Sequence, residues 1–163
     1  MAANTRSNSR TIGADTERLV AGYFRQQGWA GAERRIRTGY RTAERTVADQ
    51  GDLLGLPGLC VQVKSLRPAT AAEAATRVWL AETEAQREAS RAVLGLLVVR
   101  RWGTTDVGRW WCFLDLAELQ GLLAGTLGGN VHPQLHGRPV RLELRDVVAL
   151  LRWQGWGGTD VAA

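Results

Sequence analysis

The sequence predicts one layered domain, a mixed β-sheet with helices on its faces, of the α/β or α+β class. Three observations predict it. Helix-like and strand-like segments alternate along the 163 residues. The apolar run AVLGLLVVR at 92–100 has the length and character of a strand buried on both faces. The stretch GDLLGLPGLCVQVKS at 51–65 reads as two strands around a tight Pro57-Gly58 turn, a β-hairpin.

The elements follow in order. Residues 1–12 are polar, hold Arg6 and Arg10 and no acid, and are expected to form a flexible basic arm. A helix is expected from about Ala14 to Gln27, where Leu19, Val20, Tyr23 and Phe24 recur at helical spacing and Gly28 supplies the stop. A short strand is expected near Glu33–Thr38, then an exposed basic loop. The hairpin strands are Asp52–Leu56 and Leu59–Ser65. Ala71–Arg91 is rich in helix formers. RWWCFLDL is a further strand, LAELQGLLAG a short helix, PVRLEL an edge strand that tolerates Pro139 at its start, and RDVVALLRW a last helix. The single domain spans 13–154, and the Gly-rich tail at 155–163 is expected to be flexible.

Composition narrows the function classes. Hydrophobic residues at 45% and charged residues at 23% are those of a globular protein that builds a core. No run of about eighteen apolar residues is present, and MAANTRSNSR lacks the apolar segment of a secretory signal, so a cytoplasmic protein with no membrane span is expected. Cys60 and Cys112 each sit in an apolar run and read as reduced, buried thiols. A net charge of +5 suits a polyanionic partner, because Lys and Arg displace counterions from phosphates.

The hairpin carries the chemistry. Gln62 and Lys64 differ by two and leave the same face of a strand, while Val61 and Val63 face the other way. The tight turn brings Asp52 alongside. A carboxylate and an amide oxygen are hard ligands for Mg²⁺ or Mn²⁺, and a lysine beside the ion can hold the attacking water or offset phosphate charge. Glu17 borders the apolar face of the first helix and is the candidate second acid. Asp49 competes with Asp52, but Gly51 permits close approach and the apolar strand starts directly after Asp52. Asp15 reads as a cap or first-turn acid, and Glu33 as a partner for neighbouring arginines.

This arrangement resembles the PD-(D/E)xK nucleases, and within them the archaeal and phage Holliday junction resolvases. The matching residues are Glu17 in ADTERLVAGYF, Asp52 in QGDLLG, and Gln62 and Lys64 in VQVKS, over roughly residues 13–66. The resemblance implies a restriction-endonuclease-like α/β core with helices on both faces. It implies a metal-dependent endodeoxyribonuclease in which Glu17, Asp52, Gln62 and the Val63 backbone carbonyl hold Mg²⁺ or Mn²⁺ and Lys64 positions the water. It further implies four-way DNA junctions as substrate and a two-fold homodimer as the active form. Gln62 departs from the pattern, which has an acid there; the change removes one negative charge and predicts weaker metal binding. The alternatives are another nuclease of this superfamily without junction preference, a non-catalytic DNA-binding module, and a structural subunit of a larger complex.

Arg34, Arg35, Arg37, Arg41 and Arg45 lie between the first helix and the hairpin, where a phosphate backbone would run past the metal site. Thr38 is the hydroxyl of that segment. Arg10 on the arm, and Ser65 and Arg67 past Lys64, are further candidate DNA contacts. His132 and His136 flank Pro133 and lack a third ligand, GTLGG lacks the helix of a nucleotide loop, and most of the tryptophans are expected in the core or a dimer contact.

Overall fold

The computed structural model describes residues 3–36, 50–65, 72–127 and 133–158. The elements are α1 (Ala3–Gln26), β1 (Glu33–Arg34), β2 (Leu53–Leu54), β3 (Leu59–Lys64), α2 (Ala72–Ser90), β4 (Leu94–Val99), β5 (Trp111–Asp115), α3 (Leu116–Ala124), β6 (Pro139–Glu143) and α4 (Leu144–Trp153). Their order is the one the sequence predicts. Among the described residues, β3, β4, β5 and β6 form a four-stranded sheet in that order, and β1 pairs with β2 in a separate ribbon. The β3–β4 pair is parallel, and β4–β5 and β5–β6 are antiparallel. The sheet is therefore mixed, and the domain is α/β.

The period of two along each strand sorts side chains to opposite faces. Val61, Val63, Leu96, Val98, Cys112 and Leu114 pack in one core with Val20 and Phe24 of α1 and Val147, Val148 and Leu151 of α4. The other face carries Gln62, Gly95 and Leu97 beneath α2. Gly95 is what lets α2 come close: a Cβ there would stand 3.4 Å from the Thr83 methyl and 3.5 Å from the Arg87 Cβ. Helices thus cover both faces of the sheet.

Local chemistry sets the boundaries. Gly28 adopts φ 106 past the end of α1, and Trp29 N–H returns to the Phe24 carbonyl at 3.1 Å while Gly28 N–H returns to Arg25 at 3.2 Å. That pair closes the helix with a Schellman motif. Asp115 ends β5 and caps α3 in a reciprocal capping box with Glu118.

Three expectations need correction. The first described helix begins at Ala3, so residues 3–12 of the segment expected as a flexible arm, Arg10 included, have helical backbone, and Asp15 lies in mid-helix, ion-paired with Arg18 at 2.6 Å, rather than capping it. The strand expected over Asp52–Leu56 shrinks to Leu53–Leu54 and pairs with β1. Gly51 and Gly55 at φ 87 and 71 bend it at both ends, and towards β3 it makes two backbone bonds among the described residues, Asp52 N–H to the Val61 carbonyl at 2.8 Å and, across the turn, Leu59 N–H to the Leu56 carbonyl at 3.0 Å. The tail at 155–158 is packed: the Trp156 ring lies over Gly58, and Gly157 lies against Trp29.

No helix among the described residues is long and apolar enough to cross a membrane.

Candidate functional site

β3 builds the site. The backbone groups of alternate strand residues point to alternate edges. Lys64 uses its carbonyl towards β4, accepting from Arg100 N–H at 2.8 Å. Val61 and Val63 therefore point to the opposite edge, and there Asp52 sits. Its N–H donates to the Val61 carbonyl, and its Oδ2 accepts from Val63 N–H at 2.8 Å. Asp52 is buried, and the left-handed Gly51 before it lies 3.0 Å (as a built Cβ) from the Val61 carbonyl, a close approach only glycine permits. The Asp52 carboxylate and the Val63 carbonyl thus share one strand edge.

Gln62 and Lys64 leave the face that α2 covers, and both reach α2. Gln62 is buried; its Oε1 accepts from the Thr83 hydroxyl at 2.7 Å, and its Nε2 donates to Glu82 Oε2 at 3.1 Å. Lys64 Nζ donates to the same Glu82 oxygen at 3.0 Å and stands 5.8 Å from the Trp79 ring centroid. The hydrogen bond from Lys64, helped by that from Gln62, holds the Glu82 carboxyl below the usual carboxylate range. Glu82 therefore stays ionised at neutral pH and fixes the ammonium at the end of β3.

Glu17 pairs with Arg34, and both side chains are largely buried. Its described partner is thus the β1 arginine rather than Asp52, Gln62 or Lys64. That pairing also engages Arg34, which was expected to contact DNA. Arg35 donates to the Gln50 side chain at 3.2 Å, and its N–H bonds the Asp52 carbonyl at 2.8 Å; its buried Nε has no hydrogen-bond partner among the described residues. Ser65 is half-buried just past Lys64. Arg37, Thr38, Arg41, Arg45 and Arg67 lie outside the described residues, as do Asp49 and His132, and so does the side chain of Arg10.

The structure places Gln62, Val63 and Lys64 on β3, seats Asp52 against its free edge, and adds Glu82 and Thr83 of α2. The sequence reading missed these last two. A signal was available: Trp79, Glu82, Thr83 and Gln86 recur at helical spacing, and a buried Gln62 requires a polar partner on whatever covers it.

The donor set fits a hard divalent ion in part. Asp52 and the Val63 carbonyl offer oxygen ligands at one edge. Gln62 Oε1 is occupied by Thr83, and Glu17 by Arg34. Among the described residues no group of three or more His, Cys, Asp or Glu is gathered for a metal. A cavity of about 650 Å³ lies elsewhere, between α2 and α3, lined by Arg77, Glu84, Arg87, Glu118 and His136 among others; it shares only Thr83 with this site. Cys60 and Cys112 are buried, as expected, with no disulfide among the described residues, and burial pushes the Cys112 thiol far up.

No protein-family model, curated protein or solved structure matches the chain.

Proposed function

We propose that the chain is a divalent-metal-dependent DNA endonuclease built on a restriction-endonuclease-like core, with its active site at the Asp52 edge of β3. One observation carries the reading: the Asp52 carboxylate is seated by Val63 N–H beside the Val63 carbonyl, on the strand that ends in an anchored Lys64. Mg²⁺ or Mn²⁺ would be held by Asp52 and the Val63 carbonyl, with Gln62 joining if its oxygen turns from Thr83 and Glu17 if it leaves Arg34. Such an ion, when bound, supplies Lewis-acid polarisation of the phosphate and a more acidic water. Lys64 carries its positive charge to that edge and orients the water or a phosphate oxygen, and Glu82 keeps Lys64 in place. The preferred substrate is a four-way DNA junction and the active form a homodimer, on the strength of the Glu17, Asp52, Gln62 and Lys64 pattern.

A second reading has its own observation. The Thr83–Gln62 bond commits the amide oxygen to the fold, which favours a protein that binds DNA without cutting it.

Cleavage of a labelled four-way junction beside a linear duplex of the same sequence separates these. The arms are Mg²⁺, Mn²⁺ and EDTA, with the natural chain, Asp52→Ala and Asp52→Asn. The asparagine variant keeps an acceptor for Val63 N–H while removing the charge. Paired metal-dependent nicks confined to the junction and lost in both variants are expected. Equal cutting of both substrates removes the junction preference, and tight binding without cutting in either metal hands the case to the second reading.

A further inference from the structure

The strand register ties the candidate site to a second surface. Lys64 pairs with Val99, Val99 with Trp111 and Trp111 with Glu143, so these four side chains form one row across the same face of the sheet. Neighbouring strands stand about 4.8 Å apart, which puts Trp111 roughly 10 Å from Lys64. α2 covers the β3 and β4 part of this face, and Trp111 remains half-buried on β5.

Two arginines flank Trp111. Arg101, past the end of β4, places its guanidinium carbon 4.3 Å from the indole centroid, and Arg141, on β6, places its own at 4.6 Å. Glu143 holds Arg101 at 3.1 Å and also binds Arg145 at 2.7 Å. Arg141 is exposed and forms no ion pair with any described residue. A guanidinium stacked on an indole keeps its N–H edge available for bidentate contact with a phosphate, and its plane available to a base.

We infer that the Arg101–Trp111–Arg141 stack is a binding shelf for a single-stranded segment of nucleic acid leading into the Lys64 site. The inference rests on the proposed nuclease reading for its direction, and on the stack itself for its chemistry. Charge complementarity selects the occupant: Lys64, Arg101 and Arg141 lie along this row beside Glu82 and Glu143, and Arg141 forms no ion pair with any described residue, in a chain of net charge +5. A second copy docking face to face would set guanidinium against guanidinium. An unpaired strand offers phosphates to the N–H edges and free base faces to the planar groups, which a duplex keeps stacked within itself.

The test is binding of a fluorescein-labelled single-stranded oligodeoxythymidylate to the full chain in EDTA, followed by anisotropy over a range of salt. Arg101→Gln combined with Arg141→Gln is expected to weaken binding about tenfold or more and to flatten the log–log salt slope by about 1.4, at about 0.7 per lost phosphate contact. Arg141→Gln alone, at an exposed side chain with no ion pair, is expected to flatten it by about 0.7 and keeps the test alive if the double variant misfolds by circular dichroism. Wild-type affinity and slope in the variants overturn the shelf. So does a natural chain that ignores the oligonucleotide and binds phosphatidylserine vesicles instead. Because EDTA removes cleavage from the assay, arginine-dependent binding by a chain that never cuts in Mn²⁺ sinks only the nuclease reading. Cutting with arginine-independent binding sinks only the shelf.

Discussion

Glu118 sets a pH dependence that can be worked from its surroundings. Its Oε2 accepts from Asp115 N–H at 3.1 Å in the α3 capping box, and its Oε1 accepts from Gly95 N–H at 3.4 Å. Burial dominates and raises its carboxyl from the ordinary 4.5 to about 7; the two backbone bonds pull it down, and Glu84 and Arg87 act in opposite directions. Because the folded-state value lies above the unfolded one, the folded chain holds an extra proton between pH 4.5 and about 7. Stability from this group is full below 4.5, falls as pH rises through that window and is flat above it. At about 1.4 kcal/mol per pH unit the fall is about 3 kcal/mol. Glu118→Gln removes the titration. Its one carbonyl oxygen serves one of the two amides, so its absolute stability drops by about 1–3 kcal/mol. The informative quantity is the change with pH, measured by urea unfolding at about pH 5 and about pH 8. Wild type is expected to lose about 2.5 kcal/mol more than Glu118→Gln between the two. Parallel profiles for the two chains would refute the assignment of the proton to Glu118.

Further predictions concern packing. Gly55 has φ 71, and a Cβ there would lie 1.8 Å from the Gly31 carbonyl oxygen, so Gly55→Ala should cost more than about 4 kcal/mol, whereas Gly31→Ala, whose nearest contact is 3.8 Å, should stay within about 1 kcal/mol; matched thermal melts decide. Thr83→Val leaves the buried Gln62 oxygen without its donor and should cost about 1–3 kcal/mol in urea unfolding, and an unchanged midpoint would mean that Gln62 does not depend on Thr83. Trp156→Ala should destabilise the fold by about 2 kcal/mol through lost packing over Gly58, a loss that a loose tail would not produce.

Much of the fold is legible in the residues. The order of elements follows from where helical spacing gives way to apolar runs. Gly28 and Gly125 mark helix ends because a left-handed residue closes them, and Pro139 marks an edge strand because it donates nothing to a ladder. The placement of Gln62 and Lys64 on one face needs nothing beyond the period of a strand. The early start of α1 and the packed tail were not legible. A polar segment with few apolar residues carries no periodic signal, and Trp156 finds its partner nearly a hundred residues away in sequence, at Gly58.

The sequence by itself determined the chemical types available at β3, a carboxylate, an amide and an ammonium, because residue identity and strand period are local properties. Only the tertiary structure decided what each one touches. It turned Gln62 and Lys64 towards Glu82 and Thr83 of α2, engaged Glu17 with Arg34, and set Trp111 between two arginines in the row that starts at Lys64. Those pairings depend on strand order and on where α2 crosses the sheet at Gly95, and no local pattern encodes either.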